Sequence, residues 1–145
     1  MLELEQLRPD QYQQVAEWEF QARGEGWDWE RYEAEMDHPK WTHFGIYAGG
    51  EFVGCVSLET ISRNTAAYHV VTARRKVKPN ELADTMCDIA AYLFNHGFTA
   101  VVAHNPIDKR AGARLAIRCG MVEIGRSETT RFFIMTKVRF QKLRT

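Results

Sequence analysis

Trp27, Trp29, Tyr32 and Trp41 fall within a span of fifteen residues and alternate with Asp28, Glu30, Glu33 and Glu35. Aromatic faces and carboxylates in one segment can hold an ammonium group through charge and cation–π attraction. The same tryptophans equally suit a protein partner, since tryptophan is enriched at interface hot spots, or plain core packing. A second stretch, Arg74-Arg75-Lys76-Val77-Lys78, places four cations in five residues. Charge of that density suits phosphate groups, or merely a solvated loop. It has no interleaved aromatics, so it makes a poor single-stranded nucleic-acid platform. Glu59, His69 and His104 lie on strand-like segments, and histidine titrates near neutrality without tuning. Each can act on a proton or simply face water, and Tyr68 reads equally as core.

The chain that must position these groups has 145 residues, 45% hydrophobic and 26% charged, the composition of one compact domain over 1–145. Such a length buries enough surface to fold without disulfide or metal. Cys55, Cys87 and Cys119 are odd in number and widely spaced. They suggest neither a disulfide framework nor zinc, so no metal is expected and the thiols read as free in a reducing compartment. No apolar run approaches a membrane span, and the N-terminus is acidic where a signal peptide is basic. A cytoplasmic protein with no membrane contact is the expectation. Formal net charge is zero, yet residues 1–40 hold eleven acids against four bases. Segregation of that kind fits a molecule with one end for a cationic substrate or partner and another for an anionic ligand, or chance clustering on exposed helices. Neutrality and the acidic first third argue against general nucleic-acid binding.

Periodicity gives the elements. Leu2, Leu4 and Leu7 open as a short strand. Pro9 suits the first turn of a helix that runs through Tyr12, Val15, Ala16 and Phe20 to a stop at Gly24. Asp28–Met36 is a second helix. Thr42–Ala48 and Glu51–Glu59 flank Gly49-Gly50 as a hairpin. Ala66–Thr72 is a further strand. Pro79 starts a helix with an apolar face at Leu82, Met86, Ile89, Ala90 and Leu93, ended by Asn95-His96-Gly97. Phe98–Ala103 is a short buried strand and Asp108–Arg118 a helix stopped by Gly120. Two last strands follow, around Val122 and at Arg131–Phe140. The order β-α-α-β-β-β-α-β-α-β-β requires a mixed sheet in an α+β (α/β) fold.

Lys109-Arg-Ala-Gly-Ala-Arg-Leu-Ala-Ile-Arg-Cys-Gly120-Met121 resembles the segment Asn-x-Ala-Ser-x-Arg-x-Leu-Glu-Lys-x-Gly-Phe that closes the core of GNAT N-acetyltransferases. The element order is similar to the GNAT order along almost the whole chain. The resemblance implies a single GNAT-like domain, with Ala66–Thr72 and Thr99–His104 parallel and splayed at their C-terminal ends. It also implies acetyl-coenzyme A as acyl donor and direct transfer to a primary amine, on a small molecule or a protein. Val70 or Val71 would then offer a backbone N–H to the tetrahedral intermediate. Lys76, Val77, Lys78, Asn80, Glu81 and Lys109 occupy the cofactor-binding positions. Glu59 or His69 would be the base, and Trp27, Trp29 and Tyr32 would meet the substrate. The sequence departs from the family where its loop glycines should stand, at Lys76-Val77-Lys78-Pro79. Val77 resists the positive φ that glycine supplies, and Pro79 has no N–H. Lys109 replaces the family's asparagine, and Ala116 stands where many members place tyrosine. These departures keep a second function open: a non-catalytic GNAT-fold binding protein, of the kind found among bacteriophage head or internal-protein assembly factors, meeting its partner through the acidic, Trp-rich first third.

Overall fold

The computed structural model describes residues 1–23, 28–73 and 75–144. Among these residues the elements run β1 Leu2–Gln6, a 3-10 turn Pro9–Gln11, α1 Tyr12–Arg23, α2 Trp29–Met36, β2 Trp41–Ala48, β3 Glu51–Thr60, β4 Thr65–Thr72, α3 Pro79–Asn95, β5 Ala100–Pro106, α4 Arg110–Arg118, β6 Val122–Arg126, β7 Thr130–Thr136 and α5 Lys137–Leu143. The sheet has seven strands in the order β1-β2-β3-β4-β5-β7-β6. It is mixed, and the fold is α+β. The chain divides into two compact units, Met1–Glu59 with His69–Lys78, and Thr60–Tyr68 with Pro79–Thr145.

In the first unit β1, β2 and β3 form an antiparallel meander. Gly49 and Gly50, at φ 57° and 85°, make the two-residue turn that pairs Ala48 with Glu51. Two consecutive positive φ angles are what a hairpin turn of this length requires. The β2–β3 register shifts between Ile46 and Tyr47, so that beyond the irregularity His43 lies opposite Ser57. Alternation then sends one face of these strands toward the α1–α2 layer, where Leu7, Tyr12, Val15, Met36 and Cys55 form a buried cluster. Asp28 caps α2, accepting the Arg31 N–H at 3.3 Å, which fixes where that helix begins. Tyr12 OH donates to Asp37 at 3.0 Å and ties the start of α1 to the end of α2.

In the second unit Thr65–Ala67 pair in parallel with Ala100–Val102, and that ladder ends there. The first halves of these strands pair in parallel, as the GNAT resemblance implies. β5 then pairs antiparallel with β7 from Ala100 to Pro106. α3 buries Leu82, Ala83, Met86, Ile89, Ala90, Leu93 and Phe94, and α4 buries Ala113 and Ala116. The C-terminus departs from the sequence reading. The strand expected over Arg131–Phe140 stops at Thr136, and Lys137–Leu143 is helix. Thr136 is its cap, with Oγ1 accepting the Arg139 N–H at 3.2 Å. Val138 and Phe140 prolong the period-two pattern, while the capping threonine ends the strand. Phe140 packs on Phe94 at 5.3 Å between ring centres.

Candidate functional site

Alternate residues of three strands line one cavity of about 800 Å³ in the first unit: Trp41 and His43 from β2, Cys55 and Ser57 from β3, His69 and Val71 from β4. Val15, Glu19 and Phe20 of α1 face them. Asp28, Arg31, Tyr32, Glu35 and Met36 complete the wall from α2 and its cap. Three carboxylates against one guanidinium give this lining a negative balance.

Burial and hydrogen bonding set the charge of each group. Glu35 Oε1 accepts the Trp41 Nε1–H at 3.0 Å and lies 3.0 Å from Lys40 Nζ. The Trp41 hydrogen bond, then Lys40, holds this carboxylate below its ordinary range. Lys40 stands 5.5 Å over the Trp41 ring and 3.5 Å from Glu59. The Trp41 ring stacks on His43 at 5.9 Å and meets His69 at 5.4 Å. His43 Nε2 lies 2.9 Å from the Met36 carbonyl and Nδ1 2.6 Å from Ser57 Oγ. Burial pushes this imidazole below its ordinary value, against weaker opposing pulls from the Met36 carbonyl and Asp37. Cys55 Sγ lies 3.7 Å from Ser57 Oγ, and burial pushes the thiol up to about 12.

The sequence-derived candidates divide. His69, Tyr32 and Val71 meet in this cavity. Glu59 lies outside its lining with its carboxylate toward Lys40. Trp29 packs against Tyr32 at 6.1 Å on the rim of α2 and is 37% exposed. Trp27 lies outside the described residues, as does Arg74. Val70 takes the other face of β4 by alternation. Within the basic run Lys76 turns to Glu51, with Nζ at 3.3 Å, and its N–H donates to Ala73 O at 3.1 Å. The left-handed conformation in this loop falls on Arg75, at φ 64°, and not on Val77. In the second unit Asn80 Oδ1 accepts from Arg118 Nη1 at 2.7 Å. Glu81 opens α3 and Lys109 precedes α4, where its carbonyl accepts from Asn105 Nδ2. Sequence reasoning passed over His43 and Ser57. The Gly49-Gly50 turn alone would pair His43 with Val56, and the register shift that sets it against Ser57 carries no signal in the residue types. Among the described residues no cluster of histidine, cysteine, aspartate or glutamate is arranged to hold a metal ion, and no helix is long and apolar enough to cross a membrane.

The sequence matches no protein-family model and no curated protein. Solved structures do match. The aminoglycoside acetyltransferase AAC(6')-Ib in complex with coenzyme A superimposes with TM-score 0.81 at 12% identity, covering 100% of both chains. The chain has the GNAT fold. The same enzyme with coenzyme A and kanamycin gives 0.79 at 12% identity, again over 100% of both chains. Spermidine N-acetyltransferase SpeG from Vibrio cholerae, in complex with coenzyme A and spermine, gives 0.76 at 16% identity, covering 97% of this chain and 98% of that one. At these identities the likeness extends to the GNAT fold and leaves each site residue to be argued from its own surroundings.

Proposed function

We propose that this GNAT-fold chain is an N-acyltransferase that moves an acetyl group from acetyl-coenzyme A to a primary amine. The observation that carries this reading is the acidic, aromatic cavity of the first unit. Glu19 and Asp28, with Glu35 beside its Lys40 partner, outnumber Arg31 along the lining and favour an ammonium group, and Tyr32 and His69 add aromatic wall for it and the carbon chain behind it. The enzymes of similar fold were crystallised with spermine and kanamycin, both amines. His69, in the cavity wall, is better placed to meet the amine than Glu59, whose carboxylate is engaged by Lys40.

The start of α3 fits the diphosphate of coenzyme A with a reduced set of donors. The first turn of a helix leaves its N–H groups without intrahelical partners, and beside the first turn of α3 Arg118 brings a guanidinium to Asn80. Lys78 immediately precedes that turn in the chain. Pro79 has no N–H, Lys76 spends its own on Ala73, and the Glu81 carboxylate works against an anion. Acetyl-coenzyme A, when bound, supplies an acyl thioester for the amine to attack. Two missing donors, at about 1.5–3 kcal/mol each toward a charged group, weaken binding by about two to four orders of magnitude. Calorimetry should therefore find coenzyme A bound in the high-micromolar range, and Pro79→Gly should tighten it about tenfold or more. Submicromolar binding by the unmodified chain would refute the donor count.

The activity is tested by thiol release from acetyl-coenzyme A with a panel of primary amines that includes spermidine and kanamycin. Release that saturates with at least one amine is expected. A folded chain that neither binds coenzyme A nor releases thiol with any of them would overturn this reading in favour of a binding role.

A further inference from the structure

We propose that Ser57 and His43 form a proton relay that takes the proton from the acceptor ammonium. The inference rests on the acyl-transfer reading and concerns how the amine in that cavity is made nucleophilic. His43 and Ser57 are cross-strand partners on β2 and β3, and both face the cavity. A carbonyl oxygen only accepts, so the 2.9 Å contact to Met36 places the ring hydrogen on Nε2. A neutral ring then has its lone pair on Nδ1. The 2.6 Å contact there is Ser57 O–H donating to His43. Burial favours that neutral ring. Cys55, held as a thiol, is a donor toward Ser57 Oγ and not a competing base.

Both ring nitrogens are therefore occupied, and His43 reaches a substrate only through the serine. Ser57 Oγ keeps a lone pair for an ammonium N–H. When that proton moves to Oγ, the serine's own proton moves to Nδ1, and the amine is left neutral with its lone pair free. The hydroxyl is restored. The imidazolium that results donates from Nδ1 to Ser57 and from Nε2 to Met36, so both existing contacts persist and no heavy atom need move. Of the charged groups near the ring, Lys40, over the Trp41 ring that stacks on His43, works against a second cation. Asp37 from the end of α2 attracts the cation. Tyr12 of α1 meets the ring edge-on at 6.4 Å, Cys55 of β3 lies beyond Ser57, and His69 of β4 lies beyond Trp41. Ser57 is the catalytic residue in this scheme, and His43 acts through it.

The test uses the full chain, with spermidine as the amine probe and acetyl-coenzyme A as donor. Long-range ¹H–¹⁵N spectra of the histidine rings should show His43 as the neutral Nε2–H tautomer. Ser57→Ala and His43→Gln should each lower kcat by about a hundredfold or more, the range of general-base catalysis, with KM for the amine changed only a few-fold. The double variant should be no worse than the poorer single. Ser57→Thr, which keeps the hydroxyl, should recover part of the rate, and the curved proton inventory of the wild type should become linear in Ser57→Ala. Circular dichroism of Ser57→Ala, the milder change, checks that the fold is kept. An Nδ1–H tautomer with normal turnover would overturn the relay alone. So would unchanged kcat in Ser57→Ala, and loss of turnover in His69→Gln but not in Ser57→Ala would give the proton to His69. A correct tautomer in a chain that acetylates no amine of the panel would refute the acyl-transfer reading and the relay with it.

Discussion

Gly54→Ala measures how closely β3 and β4 approach beside the cavity. A Cβ added at Gly54 would stand 2.8 Å from the Val71 carbonyl oxygen, 3.1 Å from Thr72 Cγ2 and 3.3 Å from Ile46 Cδ1. The two side-chain atoms can swing aside. The carbonyl belongs to the backbone of β4 and moves only with the strand, by roughly half an ångström if an ordinary contact is to be regained. Overpacking of this kind costs about 1–3 kcal/mol. Unfolding entropy of about 2.1 cal/mol/K per residue gives about 0.3 kcal/mol/K for this chain, so Tm should fall by about 3–10 °C. Adding Ile46→Val should restore little, because it removes only the contact that was already able to yield. The displaced strand carries His69 and Val71 into the cavity, so KM for the amine should rise in the same variant. Thermal melts followed by circular dichroism give the first quantity and thiol release the second. A Tm within about one degree of wild type, with KM unchanged, would show that the strands do not pass as closely as this argument requires.

Three further outcomes follow from the same surroundings. At pH 7 a disulfide reagent should modify Cys87 first, since neighbouring Cys119 and Arg144 pull it below the ordinary thiol range and it is the least buried of the three. The buried Cys55 and Cys119 should react only in denaturant, and rapid loss of all three thiols in the folded chain would refute this. Arg75→Gly should leave stability equal or higher by up to about 1 kcal/mol, whereas Arg75→Val should lower the urea midpoint, because φ 64° admits a β-branched residue only under strain; equal midpoints would remove the strain argument. Burial lowers the His43 pKa, so the unfolded chain protonates near 6.5 while the folded ring stays neutral: stability is full above that value and falls as pH drops from it toward the folded pKa. The urea midpoint of wild type should thus decline more between pH 7.5 and about 5 than that of His43→Gln, and identical declines would refute the assignment.

Much of this fold was legible because hydrophobic period and turn chemistry agree locally. The Gly49-Gly50 turn, the Pro79 helix start and the glycine after α4 each mark a boundary that the backbone respects. The last strand was misread because Val138 and Phe140 continue an alternating pattern past Thr136, where a capping side chain outweighs periodicity. The cavity was half legible. Tyr32, His69 and Val71 lie where strand and helix patterns put them, while Lys76 of the loop is drawn to Glu51. His43 and Ser57 were illegible for a geometric reason. A two-residue turn pairing Ala48 with Glu51 would, in a regular ladder, set His43 against Val56. The irregularity between Ile46 and Tyr47 advances the register by one residue and puts Ser57 there instead. A one-residue shift of this kind exchanges the faces of a strand, and nothing in the residue types announces it.

On the acyl-transfer reading, the ionisation states around the cavity give the proposed relay its purpose. Glu35 is held as a carboxylate by Trp41 and Lys40, so the wall attracts an amine in its charged form. An ammonium has no lone pair and cannot attack an acyl carbon. The attraction that gathers the substrate therefore also keeps it inert until a proton leaves. A carboxylate could receive that proton only by surrendering the charge that holds the substrate, and Glu35 is the less basic for its two partners. Cys55, pushed up to about 12, already carries its own proton and cannot take another. A buried neutral imidazole has neither defect, since its lone pair is available at neutral pH and its protonation leaves the carboxylates charged. In the proposed scheme binding and activation thus fall to different groups of one wall, the acids holding the amine and His43 receiving its proton through Ser57.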